Sequence, residues 1–128
     1  MPVAIARLEY ENELYPFAVT IQRNGRMSPL TVDSDLRLAP AAALVRTRRT
    51  LAGLAYEGAL TAAALCFQHR SREPDGSLID AIAVYVEHAS GECLSIQLPY
   101  LHRDAVYEYA DVLTAPEDRQ FFRDLSKI

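Results

Sequence analysis

The sequence lacks the residue spacings that mark the better-known chemistries. No CxxC, HExxH, GxGxxG or GxxxxGK[ST] occurs, and those are the patterns in which ligand geometry or phosphate contact dictates the spacing. Cysteine is scarce: Cys66 and Cys93 are the two present, too few for a disulfide framework. Lysine is scarcer still, with Lys127 alone against twelve arginines, which reads as coding bias toward Arg. No apolar run approaches the roughly 18 residues of a membrane span. The start, MPVAIARLEYENELY, places acidic residues where an export signal needs an unbroken apolar stretch. A cytoplasmic protein with free thiols is expected. The net charge is -4, so there is no basic face of the kind that phosphate backbones require, and no nucleic-acid partner is expected. The nearest thing to one is Arg46, Arg48 and Arg49, of which positions 46 and 49 share a helix face.

What remains is a globular composition. Half the residues, 50%, are hydrophobic and 23% are charged, as in a soluble domain with its own core. The 128 residues read as one domain spanning 1–128, which buries roughly two thirds of its unfolded surface. Residues 2 to 14 suit a short helix with Val3, Ile5 and Leu8 inward, or an extended segment in which Glu9, Glu11 and Glu13 alternate. Asn24-Gly25 separates two alternating runs and predicts a hairpin with a two-residue type I′ turn. In that register Phe17 faces Val32, Val19 faces Leu30 and Ile21 faces Ser28. Pro29 marks the second strand as an edge. Residues 39 to 57 form the main helix: Pro40 suits the first turn and Gly58 the cap. Leu44, Thr47, Leu51, Leu54 and Ala55 make its stripe. Gly53 inside it suggests a close helix–sheet contact.

Three further strands follow, joined by EPDGS and by ASG, a three-residue loop that Gly91 can close as a bulged turn. The first pair is aligned with Cys66 opposite Ala83 and His69 opposite Asp80. In the second pair Glu87 lies opposite Cys93. One face then gathers Leu65, Phe67, Ile82, Val84, Val86, Leu94, Ile96 and Leu98 under the helix. The other carries Cys66, Gln68, Ala83, Tyr85, Glu87, Cys93, Ser95 and Gln97. Residues VYEYADVL can add a sixth strand. Thr114 and Glu117 stand at capping-box spacing and predict a last helix with Phe121, Leu125 and Ile128 inward and Phe122 alongside.

The fold expected is therefore two-layer α+β. A five-stranded antiparallel sheet in the order 2-1-5-4-3 carries the long helix and the C-terminal helix mainly on one face. The segments YPFAVTIQRNGRMSPL and DAIAVYVEHASGECLSIQLPY resemble a pattern in small uncharacterised bacterial proteins: aromatic-Pro-Phe-Ala, a Gly turn, Asp-Ala-Ile leading to Glu-His, then Pro-Tyr. The element order is similar to roadblock or profilin-like folds by architecture alone. Neither resemblance implies an activity or a site residue.

Three functions stay open. The first is a non-enzymatic interaction module, a homodimer or the binder of another protein, using Ala83 and Tyr85 or the helix residues Arg46 and Arg49. The second is a small-ligand site of Cys66, Gln68, Tyr85 and Gln97. The third is a hydrolase or metal enzyme built on His69 and Asp80, half of a nucleophilic triad without its nucleophile. The balance leans away from an enzyme: no catalytic residue, metal ligand or cofactor is assigned. Glu87 and His88, adjacent on a strand, point to opposite faces. His88 with Glu92 is expected to pin the turn.

Overall fold

A computed structural model describes residues 2–11, 14–30 and 39–122. In chain order they form α1 (Pro2–Glu11), β1 (Phe17–Gln22), β2 (Met27–Leu30), α2 (Pro40–Tyr56), β3 (Leu60–Arg72), β4 (Leu78–His88), β5 (Cys93–Arg103), β6 (Val106–Tyr109) and β7 (Leu113–Pro116). The fold is α+β. Its sheet has seven strands rather than five, ordered β2-β1-β3-β4-β5-β6, with β7 also pairing β5. All pairings are antiparallel. Among the described residues no helix is long and apolar enough to cross a membrane.

The expected order, 2-1-5-4-3, is corrected at one step: β1 takes β3 as its second neighbour, not β5. Composition explains the choice. The first half of β3 is small and apolar, with Ala62, Ala63, Leu65 and Cys66 all buried. Such a strand fits the middle of a sheet covered on both sides. The far end of β5 carries exposed Leu101 and suits the periphery.

The turns set the register. At all three early hairpins a residue pairs across a three-residue loop. Gln22 N–H donates to Arg26 O, Glu73 N–H to Ser77 O and His88 N–H to Glu92 O. The third loop residue is glycine each time: Gly25 (φ 86), Gly76 (φ 88) and Gly91 (φ 108). Each donates its N–H to the residue that opens the loop. This is a type I turn closed by a left-handed glycine. The geometry expected for Gly91 thus holds, but the two-residue type I′ turn at Asn24-Gly25 does not. Val19 lies opposite Pro29 and Ile21 opposite Met27; Val32 is outside the described residues.

The same one-residue difference separates β3 from its expected register. Cys66 pairs with Val84, Arg70 with Asp80 and His69 with Ala81, whereas β4 and β5 align as expected, with Glu87 opposite Cys93. A one-residue slip moves every side chain of a strand to the other face. Leu65 and Phe67 therefore leave the company of Ile82, Val84, Val86, Ile96 and Leu98. They join Ala81, Ala83, Tyr85, Glu87, Ser95 and Gln97.

The helices cover opposite faces. On the α2 side, Leu51 packs with Ala18, Ala63, Leu65, Tyr85, Phe121 and Phe122. On the α1 side, Ala4, Leu8 and Leu14 pack with Cys66, Ile82, Leu98 and Tyr100. Ala4 takes the inward place expected of Val3, which is 58% exposed. Helix α2 ends in a Schellman motif: Ala59 N–H donates to Leu54 O and Gly58 N–H to Ala55 O, with Gly58 at φ 75.

No C-terminal helix starts at Thr114. Residues 113–116 pair with β5 instead, because a sheet edge in need of hydrogen bonds outbids an isolated capping box. Phe121 and Phe122 are buried as expected; Leu125 and Ile128 lie outside the described residues. VYEYADVL adds β6, which returns from β5 through Asp104 (φ 49) and Ala105 (φ 65). This two-residue turn has positive φ at both positions without a glycine.

Two residues sit against their backbone preference. Gly53 is exposed, and a Cβ there would meet no atom within 4 Å, so the close contact expected at this glycine is absent. Ala105 occupies a left-handed conformation that costs an L-residue roughly 1–2 kcal/mol. Opposite exchanges should both stabilise the fold. Gly53→Ala should add up to about 1 kcal/mol. Ala105→Gly should add about 0.5–1 kcal/mol after the extra freedom of the unfolded chain is subtracted. Urea unfolding of the two variants checks this; a lowered midpoint in either would contradict the conformation assigned there.

Candidate functional site

On the α2 face, the most constrained group is Glu87. Its side chain is 0% exposed, although the residue lies in an apolar strand. The carboxylate accepts the backbone N–H groups of Gln120 at 2.6 Å and Phe121 at 3.1 Å, and that of Phe122. The Tyr85 hydroxyl packs against the same carboxylate and lies 2.8 Å from Asp118 O, one proton facing two acceptors. Successive N–H groups converging on one anion form a backbone nest. Burial, and then the Glu87 contact, hold the Tyr85 hydroxyl protonated well above its ordinary range. Tyr85 meets Phe121 edge to face at 5.4 Å. Among the described residues the sole ion pair is Arg70–Asp80 at 2.7 Å, so Glu87 is held by N–H groups rather than by a cation.

Residues 117–120 thereby become a wall. Between them and α2 lies a cavity of about 170 Å³ whose lining includes Arg48, Phe67, His69, Ser95, Gln97 and Gln120. Arg48 lies over the Phe67 ring at 5.4 Å and donates to Gln120 Oε1. Burial lowers its pKa. His69 meets Phe67 edge-on at 6.5 Å.

The α1 face is different. Pro29, Val19, Ala64, Val86, Leu94 and Pro116 are aligned in register across β2, β1, β3, β4, β5 and β7. No charged side chain interrupts this row, and none of its members is fully buried. Between it and α1 opens a hollow of about 400 Å³, lined by Val3, Arg7, Phe17, Val19, Cys66 and Val84 among others. Arg7 stacks over Phe17 at 4.5 Å.

The residues singled out from sequence are redistributed. Cys66 and Gln68 lie on the α1 face, Tyr85 and Gln97 on the α2 face, so the four do not form one surface. Gln68 donates to the Tyr100 hydroxyl at 2.6 Å. Ala83 and Tyr85 are buried, 5% and 4% exposed, and offer no docking surface. Arg46 and Arg49 are exposed and flank a shallow hollow with Ala42 and Val45. His69 and Asp80 point to opposite faces, and Asp80 binds Arg70, so the half-triad is not assembled. The His88 ring contacts Ser90, not Glu92: its Nδ1 lies 2.9 Å from Ser90 Oγ. Both cysteines are free. Arg48 was legible only as the odd member of its trio. Compared with protein-family models, curated proteins and solved structures, the chain matches none of them.

Two outcomes follow for stability. A Glu87→Gln side chain keeps one carbonyl oxygen and turns an NH₂ toward backbone donors. It should cost about 2–4 kcal/mol in urea unfolding and speed trypsin cleavage after Arg119. Unchanged stability and unchanged resistance to trypsin would refute the anchoring role. Burial also pushes the Cys66 thiol from 9.0 up to about 11 and the Tyr100 hydroxyl from 10.0 up to about 12. Both groups hold their protons more tightly folded than unfolded. The stability they contribute is complete below about pH 9 and is lost as pH climbs through 11 and 12. Unfolding measured between pH 8 and 11 should fall less steeply in Cys66→Ala than in the parent protein; equal slopes would remove Cys66 as a cause.

Proposed function

We propose that the protein is a non-enzymatic interaction module of the cytoplasm that pairs with a second copy of itself through the α1 face of its sheet. The observation that carries this reading is the uncharged row from Pro29 through Val86 to Pro116. Ile21, Met27 and Ile96 adjoin it on the same face, and Met27 and Leu94 are 67% and 40% exposed. Six strands span roughly 25 Å, and a contiguous uncharged row of this width is the kind of feature that marks a contact site. A second copy is the occupant favoured here because an uncharged row meets its own kind across a two-fold axis without stranding a charge. Two sheets so placed pack about 10 Å apart.

The other readings have less support. The small-ligand site of Cys66, Gln68, Tyr85 and Gln97 and the hydrolase site of His69 and Asp80 are each divided between two faces. Only part of the uncharged row is exposed, with Val19, Ala64 and Val86 half-buried, so the dimer is expected to depend on concentration. Light scattering over a dilution series should show monomer giving way to dimer in the micromolar range. Val86→Lys should hold the protein monomeric with its far-ultraviolet spectrum unchanged. A monomer at millimolar concentration, or a Val86→Lys variant that dimerises like the parent, would overturn the proposal.

A further inference from the structure

We propose that the cavity between α2 and the 117–120 segment binds a small organic monocarboxylate, with Arg48 as its anion partner. The site is on the opposite side of the sheet from the proposed dimer face and stands independently of it. Among the described residues, Arg48 forms no ion pair, and its hydrogen-bond partner is the neutral Gln120 amide. A half-buried guanidinium that has given up part of its hydration retains donors for a planar anion, and a carboxylate matches its fork in two parallel hydrogen bonds. The Phe67 ring lies beneath it, its centroid 5.4 Å from the guanidinium carbon.

The rest of the lining suits the same ligand. Ser95 and Gln97 lie two residues apart on the face of β5 toward α2, and His69 on β3 also lines the cavity. These are donors that can share a carboxylate or meet a hydroxyl on the ligand. Ala83 and the Tyr85 and Phe67 rings supply apolar floor for a short hydrocarbon portion. A volume of about 170 Å³ equals that of about five or six water molecules, which suits a ligand of a few carbon atoms. Glu117 also lines the cavity. Its carboxylate opposes a second negative charge, so a monoanion is favoured over a phosphate dianion. The wall that carries Gln120 and Glu117 is set by the Glu87 nest, which makes the cavity a built feature of the fold.

Amide NMR titration with propionate tests this. Propionate should give saturable shifts at His69, Ser95, Gln97 and Gln120, with a dissociation constant in the millimolar range. Arg48→Met keeps the stem over Phe67 and should weaken binding at least tenfold. Arg48→Lys should retain part of it, with amides distant from the cavity unmoved in both variants. Neutral propionamide and inorganic phosphate should bind at least tenfold more weakly than propionate. The proposal is overturned if propionate gives no saturable shift, if Arg48→Met binds it as well as the parent, or if phosphate or propionamide binds equally well.

Discussion

A buried carboxylate on β4 organises one whole side of this protein. Glu87 sits under the end of the described chain and collects the N–H groups of three consecutive residues, Gln120, Phe121 and Phe122. A carboxylate taken out of water without partners would be severely penalised. Here the backbone supplies the donors, and in return a segment with no helix or strand of its own acquires a fixed course. That course drops Phe121 and Phe122 into the α2-side core, lays Arg119 across the turn at Gly91 and stands Gln120 opposite Arg48. Tyr85 joins the carboxylate to the carbonyl of Asp118, so the strand, the segment and the ring pack as a unit.

How much of this could be read beforehand turns on glycine. The helix 40–56, its Gly58 cap and the β4–β5 register were all legible, because each rests on local chemistry at a named residue. Asn24-Gly25 and Asp75-Gly76 were less informative. Asn24-Gly25 suits a two-residue turn but equally a three-residue loop with glycine last, while the expected Cys66–Ala83 pairing leaves four residues, 73–76, in a loop that closes with three; each differs by one residue. That single residue carries Leu65, Phe67 and His69 to the opposite side of the sheet, and every site assembled across β3 and β4 moves with it. Glu87 was conspicuous in the sequence as an acid within an apolar strand. Its partners were not, since a backbone N–H carries no residue identity.

The two faces of the sheet have consequently diverged. One is covered by α2 and the anchored segment, and holds polar groups around a small half-open hollow. The other is covered by α1 only over Cys66, Ile82, Leu98 and Tyr100, and it keeps one uncharged row beside that cover, with the Arg70–Asp80 pair at its far end. The alanines of β3 serve both sides: Ala63 lets α2 approach, while Ala64 keeps the open face flat.

The prolines that end the open row have a directional effect. Hydrogen-bonded and non-hydrogen-bonded pairs alternate along antiparallel strands. Gln22 bonds Arg26 and Glu117 bonds Cys93, so Pro29 opposite Val19 and Pro116 opposite Leu94 both fall at non-bonded positions, where the backbone nitrogen points away from the sheet. A proline nitrogen carries no hydrogen. At each lateral margin, therefore, the donor that an incoming strand would seek is missing. Open-ended ribbon growth through these margins is blunted at both sides, and greasy contact is steered toward stacking, which is self-limiting.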